Sequence, residues 1–178
     1  IAAPGLAFAP GSPLDAIARA RLSTAYMPGE KFTMLPGDAI APLSLDAGEE
    51  RPALSLYLNV GAKDFALRGP HSKLARIRIS GNLRHAEHYA LNAAFEGGRA
   101  HGPLGLAFEE ELHALWQLAL ALEARRGKPS VSTAQLDYLF RVEQGRVAIE
   151  ARKRGAPLDK LVAELMILAN TTWGELLA

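Results

Sequence analysis

The sequence predicts an α+β domain of antiparallel strands packed with helices, and three observations carry that prediction. Two segments, residues 53–60 and 75–80, alternate apolar and polar side chains with the period of a half-buried strand. Two others, residues 109–126 and the stretch from about residue 158 onward, repeat apolar residues at helical spacing. The 178 residues, 49% hydrophobic and 22% charged, suffice for one domain with a core and are too apolar for a disordered chain.

Taken in order, Ser12-Pro13-Leu14-Asp15 marks a helix start, with a serine to cap, a proline tolerated in the first turn, and an acid at the third position. The helix is expected to run to about Ser23. Pro28-Gly29 breaks it, and Pro36-Gly37, Pro42 and Gly48 then mark a long turn-rich segment, a kind of loop that is usually functional or disordered. In the strand over residues 53–60, Leu54, Leu56 and Leu58 share one side and Ser55, Tyr57 and Asn59 the other. A second strand alternates Ala75, Ile77 and Ile79 with Arg76, Arg78 and Ser80, giving it a basic face and an expected antiparallel pairing with the first.

Residues 83–95 predict a short helix ending at Gly97-Gly98, followed by a Gly/Pro/His connector over residues 97–105. The helix over residues 109–126 has Phe108, Leu112, Leu115, Ala119 and Leu122 as its apolar stripe. Glutamates open it and Arg125 and Arg126 close it, which suits the helix dipole, and Gly127 is placed to cap its end. Residues 137–142 and 146–150 read as a hairpin around Glu143-Gln144-Gly145. The last helix begins near Leu158, with Leu158, Leu161, Val162, Leu165, Leu168, Ala169 and Leu176 as its apolar set.

Composition narrows the chemistry. With no cysteine, a disulfide framework, a zinc-thiolate site and a cysteine nucleophile are excluded, and a reducing compartment, by default the cytoplasm, is expected. No apolar run approaches the roughly 18 to 20 residues that span a bilayer, so no membrane role is expected. Twenty basic residues against 19 acids leave a net charge of +1, which favours no partner for the molecule as a whole. The absence of an initial Met and the end within a helical pattern at Leu176-Leu177-Ala178 make both ends look cut from a longer chain.

Local charge says more. Residues 65–86 hold Arg68, Lys73, Arg76, Arg78 and Arg84 and no acid, so this stretch reads either as a phosphate-holding surface or as a solvated strand face that resists edge aggregation. The run Arg152-Lys153-Arg154 reads as ordinary surface. Neither His85-Ala86-Glu87-His88 nor Glu110-Glu111-Leu112-His113 has the spacing of a zinc signature, and no nucleophile elbow or phosphate-binding glycine loop occurs.

Three stretches resemble the RNB catalytic domain of the ribonuclease II exoribonuclease family. The first is Ala9-Pro10-Gly11-Ser12-Pro13-Leu14-Asp15, leading to Tyr26-Met27-Pro28-Gly29 and Thr33-Met34-Leu35-Pro36. The second is Glu50-Arg51-Pro52-Ala53-Leu54-Ser55, and the third is Ala163-Glu164-Leu165-Met166-Ile167-Leu168-Ala169-Asn170. Their order and spacing agree with the family across most of the chain, which makes residues 1–178 an expected central part of an RNB domain.

The resemblance implies a parent enzyme that degrades single-stranded RNA from its 3′ end to nucleoside monophosphates, with aspartate-held Mg²⁺ activating water. The family's aspartate cluster precedes the first stretch and its arginine motif follows the last. Magnesium ligands and catalytic groups are therefore expected outside this chain, in the remaining segments of the same domain. An isolated piece is expected to be inactive. Tyr26 matches a tyrosine that stacks on the terminal base. Glu164 matches a helix carboxylate near the RNA 3′ end, and Asn170, six residues on, offers both a donor and an acceptor. His85 stands near a tyrosine that contacts RNA in some members, and Arg76 and Arg78 complete the expected RNA contacts. The competing reading is a non-catalytic RNA-binding or assembly module on the same scaffold, and a third is a structural domain with no nucleic-acid role.

Overall fold

The helix start at Ser12 forms as a reciprocal cap. In the computed structural model, which describes residues 1–83, 92–93, 95, 107–127, 136–153 and 156–178, helix α1 spans Pro13–Arg21. The Asp15 N–H donates to Ser12 Oγ at 3.4 Å, while Asp15 Oδ2 accepts from the Gly11 N–H at 2.8 Å and from Arg19 Nε at 2.9 Å. The Gly11 N–H, and after it Arg19, hold the Asp15 carboxyl below the usual aspartate range. The folded state thus favours the ionised form, so this stabilisation is complete above the ordinary aspartate value and is lost as pH falls through the lowered one. Asp15→Asn should accordingly lower the urea midpoint near neutral pH, and the gap to wild type should close in strong acid; a gap independent of pH would contradict the assignment. Helix α1 ends two residues before the expected Ser23 because Leu22 turns to φ 62°, outside the helical region.

The turn-rich segment that follows contains a hairpin. Strands β1 (Ala25–Met27) and β2 (Glu30–Phe32) pair antiparallel in the register Ala25↔Phe32, Tyr26↔Lys31 and Met27↔Glu30. Three-residue strands are too short for a period-two signal, so the sequence shows their turn and not the pairing. Pro28 sets the first corner and Gly29, at φ 78°, occupies a left-handed second corner. A Cβ at Gly29 would lie 2.8 Å from Val142 Cγ2, a close approach that only glycine permits. Beyond it come the short helix α2 (Gly37–Ile40) and a 3₁₀ turn at Ala41–Leu43.

Strands β3 (Glu50–Val60) and β4 (Leu67–Arg78) form the long antiparallel ribbon. Its loop is closed by Gly61 N–H to Ala66 O and Phe65 N–H to Gly61 O, both at 2.9 Å. β4 begins eight residues before the expected Ala75, since Gly69, Pro70 and His71 mask the alternation that backbone pairing to β3 makes unnecessary. Ile1 adds to β3 by exchanging backbone bonds with Leu54 at 2.8 and 3.0 Å, and Ala53 there is fully buried.

Strands β5 (Leu136–Glu143) and β6 (Arg146–Lys153) make the expected hairpin. Its two-residue loop has Gln144 at φ 51° and Gly145 at φ 76°, the paired positive angles that match strand twist.

The chain divides into two units: Ile1–Tyr57 with His71–Asn82 and Tyr138–Glu150, and Leu58–Pro70 with Leu83–Asp137 and Ala151–Ala178. In the second unit, helix α3 (Glu109–Arg125) packs on helix α4 (Pro157–Leu177). Phe95, Leu112, Trp116, Leu158 and Leu161 form the core, with the Phe95 and Trp116 rings 5.3 Å apart. The Leu158 N–H at the start of α4 donates to Asn92 Oδ1 at 3.0 Å, so a side chain from elsewhere in this unit satisfies an otherwise unpaired helix donor.

The α3 stripe holds in its middle, where Leu112 and Ala119 are buried and Leu115 packs against the core, and departs from the expectation at its start and in its breadth. Phe108, at φ 61°, precedes the helix and is half-exposed, while Trp116 and Leu118 are buried with Leu112 and Ala119. On α4, Val162 and Leu176 are exposed, and the polar Glu164 and Thr172 are buried. The Thr172 hydroxyl donates to Leu168 O at 2.8 Å, which removes the cost of its burial. Residues expected to form the helix at 83–95 lie mostly outside the described residues, although Asn92, Ala93 and Phe95 are helical.

Candidate nucleic-acid interface

Tyr26 lies in the middle of β1 opposite Lys31, with 78% of its surface exposed. Its neighbours Met27 and Phe32 are exposed as well, so the hairpin presents apolar, flat surface to solvent. The hairpin is tied at its base: Arg21 Nη1 donates to Thr33 O at 2.8 Å, and the Met34 N–H donates to Thr24 Oγ1 at 3.3 Å. An exposed aromatic ring on an anchored support gives a base a stacking surface at low ordering cost.

Arg76 and Arg78 lie on β4 and converge on Glu50. Arg76 Nη2 donates to the Glu50 carbonyl at 3.2 Å, and the Glu50 carboxylate lies 3.9 Å from both Arg76 Nε and Arg78 Nη2. All three side chains are more than half exposed, so these pairs are weak. Two guanidinium groups sharing one carboxylate leave the cluster net positive, which suits a phosphate.

Glu164 sits in the second unit, only 4% exposed. Arg126, at the end of α3, grips it with both arms of its guanidinium: Nη1 donates to Oε2 at 2.5 Å and Nη2 to Oε1. Glu164 in turn holds the Arg126 proton more tightly than usual, against the opposing effect of desolvation. A parallel bridge joins Lys160 Nζ to Glu123 Oε2 at 2.9 Å, and Arg125 donates to the backbone carbonyls of Asp64 and Phe65. The carboxylate is thus fixed by a planar fork, with Arg126 taking two of its roughly four acceptor positions.

Asn170 is exposed on α4 and Glu164 is buried, so the two occupy different faces of one helix. His85 lies outside the described residues. The structure therefore brings Arg76 and Arg78 together, holds Tyr26 out on its hairpin, and pairs Glu164 with a residue that sequence reasoning assigned only to dipole compensation. Glu50 and Arg126 were missed because a partner 26 or 38 residues away leaves no local signature. Among the described residues, no group of three or more His, Asp or Glu side chains converges to hold a metal ion.

The RNB domain family model matches residues 1–178. The chain belongs to the RNB domain family. Exoribonuclease 2 of Vibrio parahaemolyticus is 30% identical over 181 residues, covering 99% of this chain and 27% of its own length. Ribonuclease R of Escherichia coli is 28% identical over 174 residues, covering 90% of this chain and 20% of its own length. This RNB chain thus spans about a quarter of the length of the curated relatives it matches. Among solved structures, Mycoplasma genitalium RNase R in complex with double-stranded RNA superposes with TM-score 0.78 at 17% identity, over 97% of this chain and 30% of that one. The Dss1 exoribonuclease of Candida glabrata gives TM-score 0.71 at 17% identity, over 96% of this chain and 24% of that one. These likenesses establish an α+β RNB fold, and the family's members include exoribonucleases of the ribonuclease II and R types.

Proposed function

We propose that this RNB chain is the RNA-holding part of a 3′-to-5′ exoribonuclease that hydrolyses single-stranded RNA to nucleoside monophosphates. Family membership supports the reaction class, and the observation that carries the local role is the exposed Tyr26 ring on its anchored hairpin. In this reading Tyr26 stacks on the terminal base, Arg76 and Arg78 meet backbone phosphates, and His85 adds a contact upstream. Glu164 uses the acceptor positions that Arg126 leaves open to receive a ribose hydroxyl or base edge, and Asn170 contacts a separate group.

Magnesium and its carboxylate ligands, together with the catalytic arginine, belong to other segments of the parent protein. The cysteine-free sequence supports a cytoplasmic setting. A polypeptide of residues 1–178 mixed with 5′-labelled single-stranded RNA and Mg²⁺ should release no nucleotides, while the full-length protein should shorten the RNA stepwise from its 3′ end. Turnover by the isolated chain would defeat the placement of the catalytic groups. RNA binding without turnover by the full-length protein would favour the non-catalytic module.

A further inference from the structure

The hairpin that carries Tyr26 has no interior of its own. Every residue of β1 and β2 is exposed, and a two-stranded hairpin this short is marginal in water without outside support. Its placement therefore depends on contacts beyond the strands. The base is held by the bonds from Arg21 to Thr33 and from Met34 to Thr24. The tip meets β5, which belongs to the same unit of the fold. The three nearest heavy atoms to a Cβ built on Gly29 all belong to Val142: Cγ2 at 2.8 Å, Cβ at 3.2 Å and Cγ1 at 3.9 Å. A β-branched side chain is stiff at χ1, so the Val142 methyls form a fixed stop. Gly29, at φ 78° and without a Cβ, lets the backbone of the tip rest directly on that stop.

We propose that Val142 is a positioning residue for Tyr26: by bracing the hairpin tip at Gly29, it holds the Tyr26 ring ready for a base. The proposal rests on the stacking role given to Tyr26 above and adds to it a residue on a different hairpin that acts without touching RNA. A ring on a loose hairpin must be ordered at the moment of binding, and that ordering is subtracted from the stacking energy. A hairpin fixed at base and tip has already met this cost in folding. Bracing by Val142 thus appears as RNA affinity that exists only while the Tyr26 ring is present.

The test is a double-mutant cycle on the affinity of the full-length protein for a single-stranded RNA of about 15 nucleotides, in EDTA so that hydrolysis is suspended. Val142→Ala should weaken binding by about 2- to 10-fold, the usual cost of ordering one mobile side chain, and should cause no further loss when Tyr26 is already alanine. Val142→Thr, which keeps both branches on Cβ, should bind like wild type. Equal losses with and without the Tyr26 ring, or no loss in either background, would overturn the brace. A Tyr26→Ala variant that binds as tightly as wild type would instead sink the stacking role of Tyr26, and the brace with it. If Val142→Ala does not fold, amide exchange of the wild-type protein decides. Paired amides of β1 and β2 that exchange no faster than those of β5 support the brace, and faster exchange in β1 and β2 overturns it.

Discussion

Replacing Arg126 with alanine should destabilise the second unit by about 2 to 4 kcal/mol, because it leaves the buried Glu164 carboxylate without its counter-charge. Breaking a buried pair usually costs about 3 to 5 kcal/mol, and the lower part of that range applies because the Arg126 side chain is 36% exposed whereas that of Glu164 is 5% exposed. The loss comes mainly from the unpaired acid. Arg126→Ala with Glu164→Leu should therefore recover most of it, since an apolar side chain of similar size needs no partner. Arg126→Lys should recover little, because a single ammonium cannot reproduce the two-armed contact. Amide hydrogen exchange of the full-length protein would localise the effect: faster exchange is expected in α3 and α4. Protection equal to that of an Arg19→Ala control would show that the pair is not structural.

Tyr26→Ala should weaken binding of single-stranded RNA by the full-length protein by about 5- to 150-fold, the range of one base stacked on one aromatic ring. Stability should stay within about 0.5 kcal/mol of wild type, since a ring 78% exposed contributes little packing. Tyr26→Phe and Tyr26→Trp should keep most of the affinity, because stacking needs a flat ring and no hydroxyl. Anisotropy titrations in EDTA read the affinity, and thermal unfolding reads the stability. An alanine variant that binds as tightly as wild type would remove Tyr26 from the interface. A variant whose melting temperature falls in step with its affinity would make Tyr26 a fold residue.

Elements with strong local signals were legible from residues alone. The Ser12 to Asp15 cap, the β5–β6 hairpin and helices α3 and α4 each appear within a few residues of their expected bounds. The misses follow from what a single strand of text omits. β1 and β2 are too short to show a period, and β4 runs through Gly69-Pro70 because β3 supplies its hydrogen-bonding partners. The buried face of α3 is wider than its expected stripe because of what packs on it: Trp116 meets Phe95 and α4, whereas Phe108 lies before the first turn.

By itself the sequence determined the α+β class, the absence of cysteine chemistry, the concentration of basic residues on one ribbon, and a resemblance that the RNB family match confirms. These are properties of composition, local spacing and motif order, which survive without knowledge of contacts. The tertiary structure decided which charges are neutralised and which rings meet. Arg126 reads as a helix-end cation until folding sets it against Glu164, and Arg76 and Arg78 read as a bare basic face until Glu50 is brought beside them. Tyr57 and His71 become a stack only through strand pairing. Electrostatics and ring stacking act over a few ångströms of space whatever the separation in sequence, and only the folded chain sets those distances.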